Sequence, residues 1–245
     1  MTGFSSFLIS CFFLIKVSLS AGPLPHPSSP FPETNSTDQL KIIPFKVPVT
    51  LIVMSQCPEA KKCQKAIDEA LIKLGDKMDV EVGYVAKLNS SSRFGVTCFH
   101  GDTECEGNIQ QLCYKARFPF FKDWWSFIQC QTSNPLGSKH IGTKSLLEKC
   151  IKKTHPEKDY KFEDDQVFKG CLDGPLGRHL LYHSVLQNKA SASLNTSCEI
   201  LINHQPVCKS QFSHLNSTNT TAHQPYNTTN LMNVIESEYK LANLI

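Results

Sequence analysis

A chain of 245 residues with eleven cysteines and a net charge of only +3 is long enough for one good-sized domain or two small ones. The near-neutral balance and the lack of any basic cluster argue against a nucleic-acid binder. Past the N-terminal segment no run is long and apolar enough to suggest a membrane span.

Phe4 to Leu19 is apolar and is followed by small residues at Ser18 and Ser20, which reads as a secretory signal peptide over residues 1–20. Lys16 within it, and no basic residue before it, depart from the usual pattern. Its removal takes Cys11 and leaves ten cysteines, an even number suited to disulfides in an oxidising compartment. Six Asn-x-Ser/Thr sequons, at Asn35, Asn89, Asn195, Asn216, Asn219 and Asn227, agree with that route. Residues 21–45 are rich in Pro and Ser and read as a flexible leader.

From Val47 to Met54 the chain is apolar and β-branched, the pattern of a buried strand. A helical pattern follows, with Cys63, Ala66, Ile67, Ala70, Leu71 and Leu74 recurring at three- and four-residue steps. Pro58 suits its first position and Gly75 its end. Cys57 therefore falls at the corner between strand and helix. A helix N-terminus favours thiolate over thiol; Lys61 and Lys62 push the same way and Glu59 pushes against it. Cys57 is a candidate nucleophile, or half of a structural disulfide.

Val80, Val82, Tyr84 and Ala86 alternate as a second strand, giving a βαβ unit over residues 46–95 with parallel strands. Chemistry in such sheets sits beyond the C-terminal strand ends, where Cys57 lies. Residues 96–190 change character. Helical patterns appear at Ile109–Ala116, Trp124–Cys130, Leu146–Ile151 and Leu180–Leu186, among six cysteines. This reads as a helical insertion stapled by disulfides. Its aromatic cluster, Phe118, Phe120, Phe121, Trp124, Trp125 and Phe127, is either helical core or a substrate-contacting apolar surface. Residues 191–245 return to the α/β pattern. Glu199 to Asn203 reads as a strand, His204-Gln205-Pro206 as a turn and Val207 to Lys209 as a returning strand. Residues 210–229 read as a glycosylated loop, and Leu231, Val234, Ile235 and Leu241 mark a closing helix. Without the insertion, the order strand, helix, strand, hairpin, helix is that of thioredoxin. The expected class is α/β, a thioredoxin-like fold with a disulfide-stapled helical insertion.

The run from Cys98 to Cys113 carries Cys98, His100, Gly101, Glu104, Cys105, Asn108 and Cys113 at fixed spacing. It closely resembles the gamma-interferon-inducible lysosomal thiol reductase (GILT) signature, C-Q-H-G-x-x-E-C-x-x-N-x-x-x-x-C, with Phe99 replacing the glutamine. The resemblance covers about Val47 to Lys209. It implies reduction of protein disulfides by a cysteine pair, disulfide-containing proteins as substrates, a small-molecule thiol as reductant, no cofactor, and a secreted or lysosomal location. Read as metal ligands, Cys98, His100, Cys105 and Cys113 fit no common zinc finger spacing. His100 is either a general base or a structural histidine. The motif is taken as scaffold, with its cysteines in disulfides.

Two departures from the family matter. Its redox centre is C-x-x-C, and the second cysteine falls at Ala60, which has no thiol. The next cysteine, Cys63, lies six residues past Cys57, roughly 9 Å along a regular helix, beyond the reach of about 7 Å for a direct bridge unless the first turn is unwound. Cys198 occupies the place of the cis-proline that thioredoxin-like proteins set against the redox cysteines. The expectation is therefore a Cys57–Cys198 pair, either a redox couple in which both residues are catalytic or a fixed bridge; a glycan on Asn195 would crowd Cys198. Two readings stay open: a thiol reductase with an altered centre, or a catalytically silent secreted glycoprotein that binds cysteine-containing proteins.

Overall fold

The computed structural model describes residues 43–156, 160–189, 197–209 and 228–244. The residues of the expected signal peptide, most of the leader, and Asn35, Asn195, Asn216, Asn219 and Asn227 lie outside these ranges.

Strand β1 (Val47–Val53) runs at the centre of a four-stranded sheet. Helix α1 (Pro58–Leu74) returns the chain to β2 (Met78–Tyr84), which pairs parallel to β1 from Val47 against Met78 to Val53 against Tyr84. The alternation expected of a sheet with helices packed on it is visible in both strands. Val47, Val49, Leu51 and Val53, with Met78, Val80, Val82 and Tyr84, enter the main core. Cys63, Ala66, Ile67 and Ala70 bring the buried stripe of α1 onto that core. Burial of a side chain the size of Ile67 stabilises by about 1.5–3 kcal/mol.

Two-residue strands β3 (Lys87–Leu88) and β4 (Val96–Thr97) pair with each other. Five helices then precede the return to the sheet: α2 (Asp102–Arg117), α3 (Phe121–Thr132), α4 (Lys144–Thr154), α5 (Gln166–Asp173) and α6 (Pro175–Asn188). Helix α6 sits against β2, where Ser184 Oγ accepts from the Tyr84 backbone N–H at 3.0 Å. Strand β5 (Glu199–Ile202) pairs antiparallel to β1, and β6 (Gln205–Lys209) pairs antiparallel to β5, so the order is β2-β1-β5-β6. Helix α7 (Thr228–Asn243) packs on α1 and β1. Strand order and direction make this a thioredoxin-like α/β fold with a helical insertion, held by bridges Cys98–Cys105, Cys113–Cys171 and Cys130–Cys150.

Several expectations need correction. The hairpin turn is Asn203-His204, both at positive φ (47° and 64°), which a two-residue connection demands. Gln205 and Pro206 belong to β6; Pro206 is tolerated because β6 is an edge strand. Thr228 and Thr229, assigned to the loop, begin α7. Helix α5 and the β3–β4 hairpin gave no sequence signal. Of the aromatic cluster, Trp124, Trp125 and Phe127 are core, while Phe120 is 77% exposed.

Asp165 starts α5 and shows how one carboxyl group holds three elements. It accepts from the Phe168 N–H at 2.9 Å, from Arg117 Nε at 2.8 Å and from the Tyr160 hydroxyl at 3.1 Å. Burial by itself raises its pKa, but these bonds outweigh burial and hold the carboxyl below its ordinary value of 3.8. A depressed folded value means the stabilisation is present above 3.8 and is lost as pH falls through the folded value. Asp165→Asn should therefore cost about 1–2 kcal/mol near neutrality. In urea titrations the gap from the parent should shrink once the carboxyl of the parent is protonated; an equal gap at all pH values would refute the assignment.

Candidate active site

Cys57 is the N-cap of α1 and takes an extended conformation, φ −71° and ψ 129°. Being off the helical path, its side chain does not follow the stripe that carries Cys63 inward. It lies half-buried against a separate small cluster, Ile52, Met54, Val85 and Leu201. Its thiol faces the backbone carbonyl of Ser197 at 3.8 Å. The corner is also held by backbone bonds, from Cys57 N to Met54 O at 3.0 Å and from Ala60 N to Cys57 O at 3.1 Å. Ser197 Oγ in turn accepts from the Met54 N–H at 2.9 Å.

The expected Cys57–Cys198 pair is not what forms. Cys198 is bridged to Cys63, with Cα atoms 6.3 Å apart, and Cys57 is unbridged. The register placed Cys198 correctly just ahead of β5, where the Ser197–Cys198 peptide is cis. The error lay in the partner. Cys63 is on the inward face of α1 and meets Cys198 in the core, both with no exposed surface. Ala60 is likewise fully buried.

The Cys98 to Cys113 run is wrapped around the turn that carries Cys57. Glu104 has no exposed surface, and its carboxyl oxygens accept from Gln56 N at 3.3 Å, His100 N at 3.2 Å and His100 Nδ1 at 2.5 Å. Asn108 Oδ1 accepts from Ser55 N at 3.3 Å, and Ser55 Oγ donates to Glu104 O at 3.4 Å. The Asn108 amide also lies 3.7 Å from Cys98 Sγ. Cys98 and Cys105 bridge each other, and Cys113 bridges to Cys171. Their sulfurs are thus engaged with cysteines rather than grouped with His100 as metal ligands. Gly101 caps α2 at φ +92°, a conformation that a side chain disfavours. Phe99, in place of the glutamine, is partly exposed beneath Lys87. Ser55 and Gln56, which donate three of these bonds, were not singled out in the sequence. Contacts across about fifty positions leave no local trace.

The model of the family described as Gamma interferon inducible lysosomal thiol reductase (GILT) matches residues 48–154, the segment holding both Cys57 and the buried clamp. Over this segment the chain is similar to that family. A GILT relative, the Gamma-interferon-responsive lysosomal thiol protein of Arabidopsis thaliana, is 29% identical over 141 residues. That alignment covers 56% of this chain and 52% of the relative, so the chain matches about half the length of the curated protein. Among solved structures, a putative protein-disulfide isomerase from Pseudomonas syringae is 10% identical, covering 80% of this chain and 98% of that one at a TM-score of 0.45. A thiol-disulfide oxidoreductase from Corynebacterium diphtheriae is 11% identical, covering 85% and 86%, with a TM-score of 0.40.

Behind Glu104 and Asn108 the chain carries a run of buried polar side chains. The Tyr84 hydroxyl donates to Gln111 at 2.6 Å, Gln111 to Gln131 at 2.8 Å, Gln131 to Gln110 at 3.0 Å, and Gln110 to the Gly142 carbonyl at 2.9 Å. Gln56 reaches the same loop through Ile141 O at 2.7 Å. Burial pushes the Tyr84 phenol well above its ordinary pKa. Beside the site, an open groove of ≈ 990 Å³ begins at Pro58 and is flanked by Lys61, Lys65, Lys122 and Lys153. Asp68 on its floor has a raised pKa, because burial outweighs the hydrogen bonds from Trp125 and Gln129, each 2.7 Å. No helix among the described residues is long and apolar enough to cross a membrane.

Proposed function

We propose that this chain is a thiol:disulfide oxidoreductase that reduces protein disulfides along the secretory and endolysosomal route, with Cys57 as the attacking thiolate. The observation that carries this reading is an unbridged, half-exposed cysteine at a strand-to-helix corner, braced by the signature residues of a thiol reductase family. The Cys57 thiolate attacks one sulfur of a substrate disulfide, forming a mixed disulfide and expelling the other sulfur as a thiolate. A second thiol must then attack the Cys57 sulfur to free the substrate. Ala60 cannot supply it, so in the simplest version a small-molecule thiol does. The open groove lined in part by Pro58, the residue after Cys57, offers room for a polypeptide. The signal peptide expected from the sequence and the sequons, of which Asn89 is exposed, support delivery to a lysosome or to the exterior.

A second reading is favoured by one observation, the buried Ala60 where the resolving thiol of the family belongs. It makes the chain a catalytically silent glycoprotein that binds cysteine-containing proteins. A reductase assay on a disulfide-linked peptide, with glutathione as reductant at acid and neutral pH, separates the two. The parent should turn over, and Cys57→Ser should fall to the uncatalysed background. No turnover by the folded parent favours the silent reading. Turnover that survives Cys57→Ser refutes the site.

A further inference from the structure

The Cys63–Cys198 bridge has no exposed surface, so no thiol in solution reaches it directly. Its neighbour is the half-exposed Cys57. Cys57 Sγ lies 3.8 Å from the carbonyl of Ser197, the residue before Cys198. Cys198 Sγ lies 3.2 Å from the carbonyl of Glu59, two residues after Cys57. Each sulfur thus rests on the backbone that carries the other, at the point where α1 begins.

We infer that Cys57, Cys63 and Cys198 form a three-sulfur exchange relay in which Cys198 supplies the resolving thiol that Ala60 lacks. The inference rests on the reductase reading above. Starting with all three reduced, Cys57 thiolate attacks the substrate disulfide and expels one substrate thiolate. Cys198 thiolate attacks the Cys57 sulfur, expelling the second substrate thiolate and forming Cys57–Cys198. Cys63 thiolate attacks the Cys198 sulfur, closing Cys63–Cys198 and releasing Cys57. The bridge seen here is the end state of that sequence, with the two electrons passed to the substrate. Recharging runs it backwards. Cys57 thiolate opens the bridge at Cys198, a small-molecule thiol attacks the accessible Cys57 sulfur and frees Cys198, and a second such thiol frees Cys57 and leaves as the small-molecule disulfide. The buried bridge exchanges electrons with solution only through Cys57.

The decisive variant is Cys63→Ser in the full chain, purified without reductant and mapped by mass spectrometry. A peptide linking Cys57 to Cys198 is the expected result. A folded variant in which both cysteines are alkylated overturns the relay. A second measurement does not depend on that variant folding. The parent and Cys57→Ser are incubated with reduced glutathione and then alkylated. Labelling of Cys63 and Cys198 should be slower in Cys57→Ser by on the order of tenfold or more; equal rates overturn the relay. Peptide reduction separates the two levels. Turnover unchanged by Cys198→Ser overturns the relay and leaves Cys57 as nucleophile, whereas turnover unchanged by Cys57→Ser removes the reductase reading itself.

Discussion

Replacing Glu104 by alanine should destabilise the fold by about 3 kcal/mol and loosen the turn that carries Cys57. The side chain is wholly buried and serves three donors, the backbone N–H groups of Gln56 and His100 and the His100 ring. His100 is partly exposed and can turn to water, so its share of the loss is small. Gln56 is 5% exposed, and its N–H would be stranded at a cost of about 1–3 kcal/mol. The vacated volume adds a cavity between α2 and the β1–α1 turn. Glu104→Gln keeps one acceptor oxygen and most of the volume, so it should lose about half as much. Urea midpoints report the stability change. The alkylation rate of Cys57 reports the loosening, and should rise in the alanine variant even under conditions where the protein stays folded. A midpoint unchanged by Glu104→Ala would mean that the carboxyl is not what holds the turn.

Removing the Cys113–Cys171 bridge, with both residues changed to alanine, should cost about 4 kcal/mol. The bridge spans 58 residues, and the loss in chain entropy for a loop of that size falls between the values for 15 and 100 residues. It has more to hold than its length suggests. Helix α5 has eight residues, of which only Phe168 and Cys171 are buried. Cut from α2, it keeps one core anchor and the Asp165 cap. Amide exchange in the bridge-free variant should therefore accelerate first over Gln166–Asp173. The separations of the other bridges in this region, 20 for Cys130–Cys150 and 7 for Cys98–Cys105, predict progressively smaller losses, about 3 and about 2 kcal/mol. A reversed order of denaturation midpoints would show that local strain or residual unfolded structure, rather than loop length, decides the matter.

Where the chain announces itself, it does so through local chemistry. The βαβ unit was readable because β1 is a continuous apolar run, Pro58 and Gly75 punctuate α1, and the inward stripe from Cys63 to Leu74 keeps helical period. The four longer helices before β5 were found by the same period, short by one to seven residues at their ends. Helix α5 was missed because two buried side chains in eight residues are too few to establish a repeating stripe. The hairpin turn was misplaced because Pro206 looks like a turn residue, and only its edge position makes it compatible with a strand.

The site divides in the same way. Cys57 was placed by the strand-to-helix pattern, and the signature by its spacing. What the signature does was not legible. Its Glu104 and Asn108 bind Gln56 and Ser55, and no short-range pattern relates residues 48 to 53 positions apart. The pairing of Cys63 with Cys198 was hidden by a related ambiguity. Helical spacing shows that Cys63 faces the core, and the approach to β5 places Cys198 beside the same turn. Yet the extended backbone at Cys57, which lets Cys63 rather than Cys57 take Cys198, is a property of the fold.

That cross-link protects the integrity of the molecule over a longer stretch of chain than the other three. Cys98–Cys105, Cys113–Cys171 and Cys130–Cys150 all close within residues 98–171, whereas Cys63–Cys198 ties α1 to the threshold of β5 across everything between them. A protease that nicks the backbone once between those two positions would leave two polypeptides still covalently joined. They would migrate as one species until a reductant opens the tie, so such cleavage goes unseen on a gel run without one.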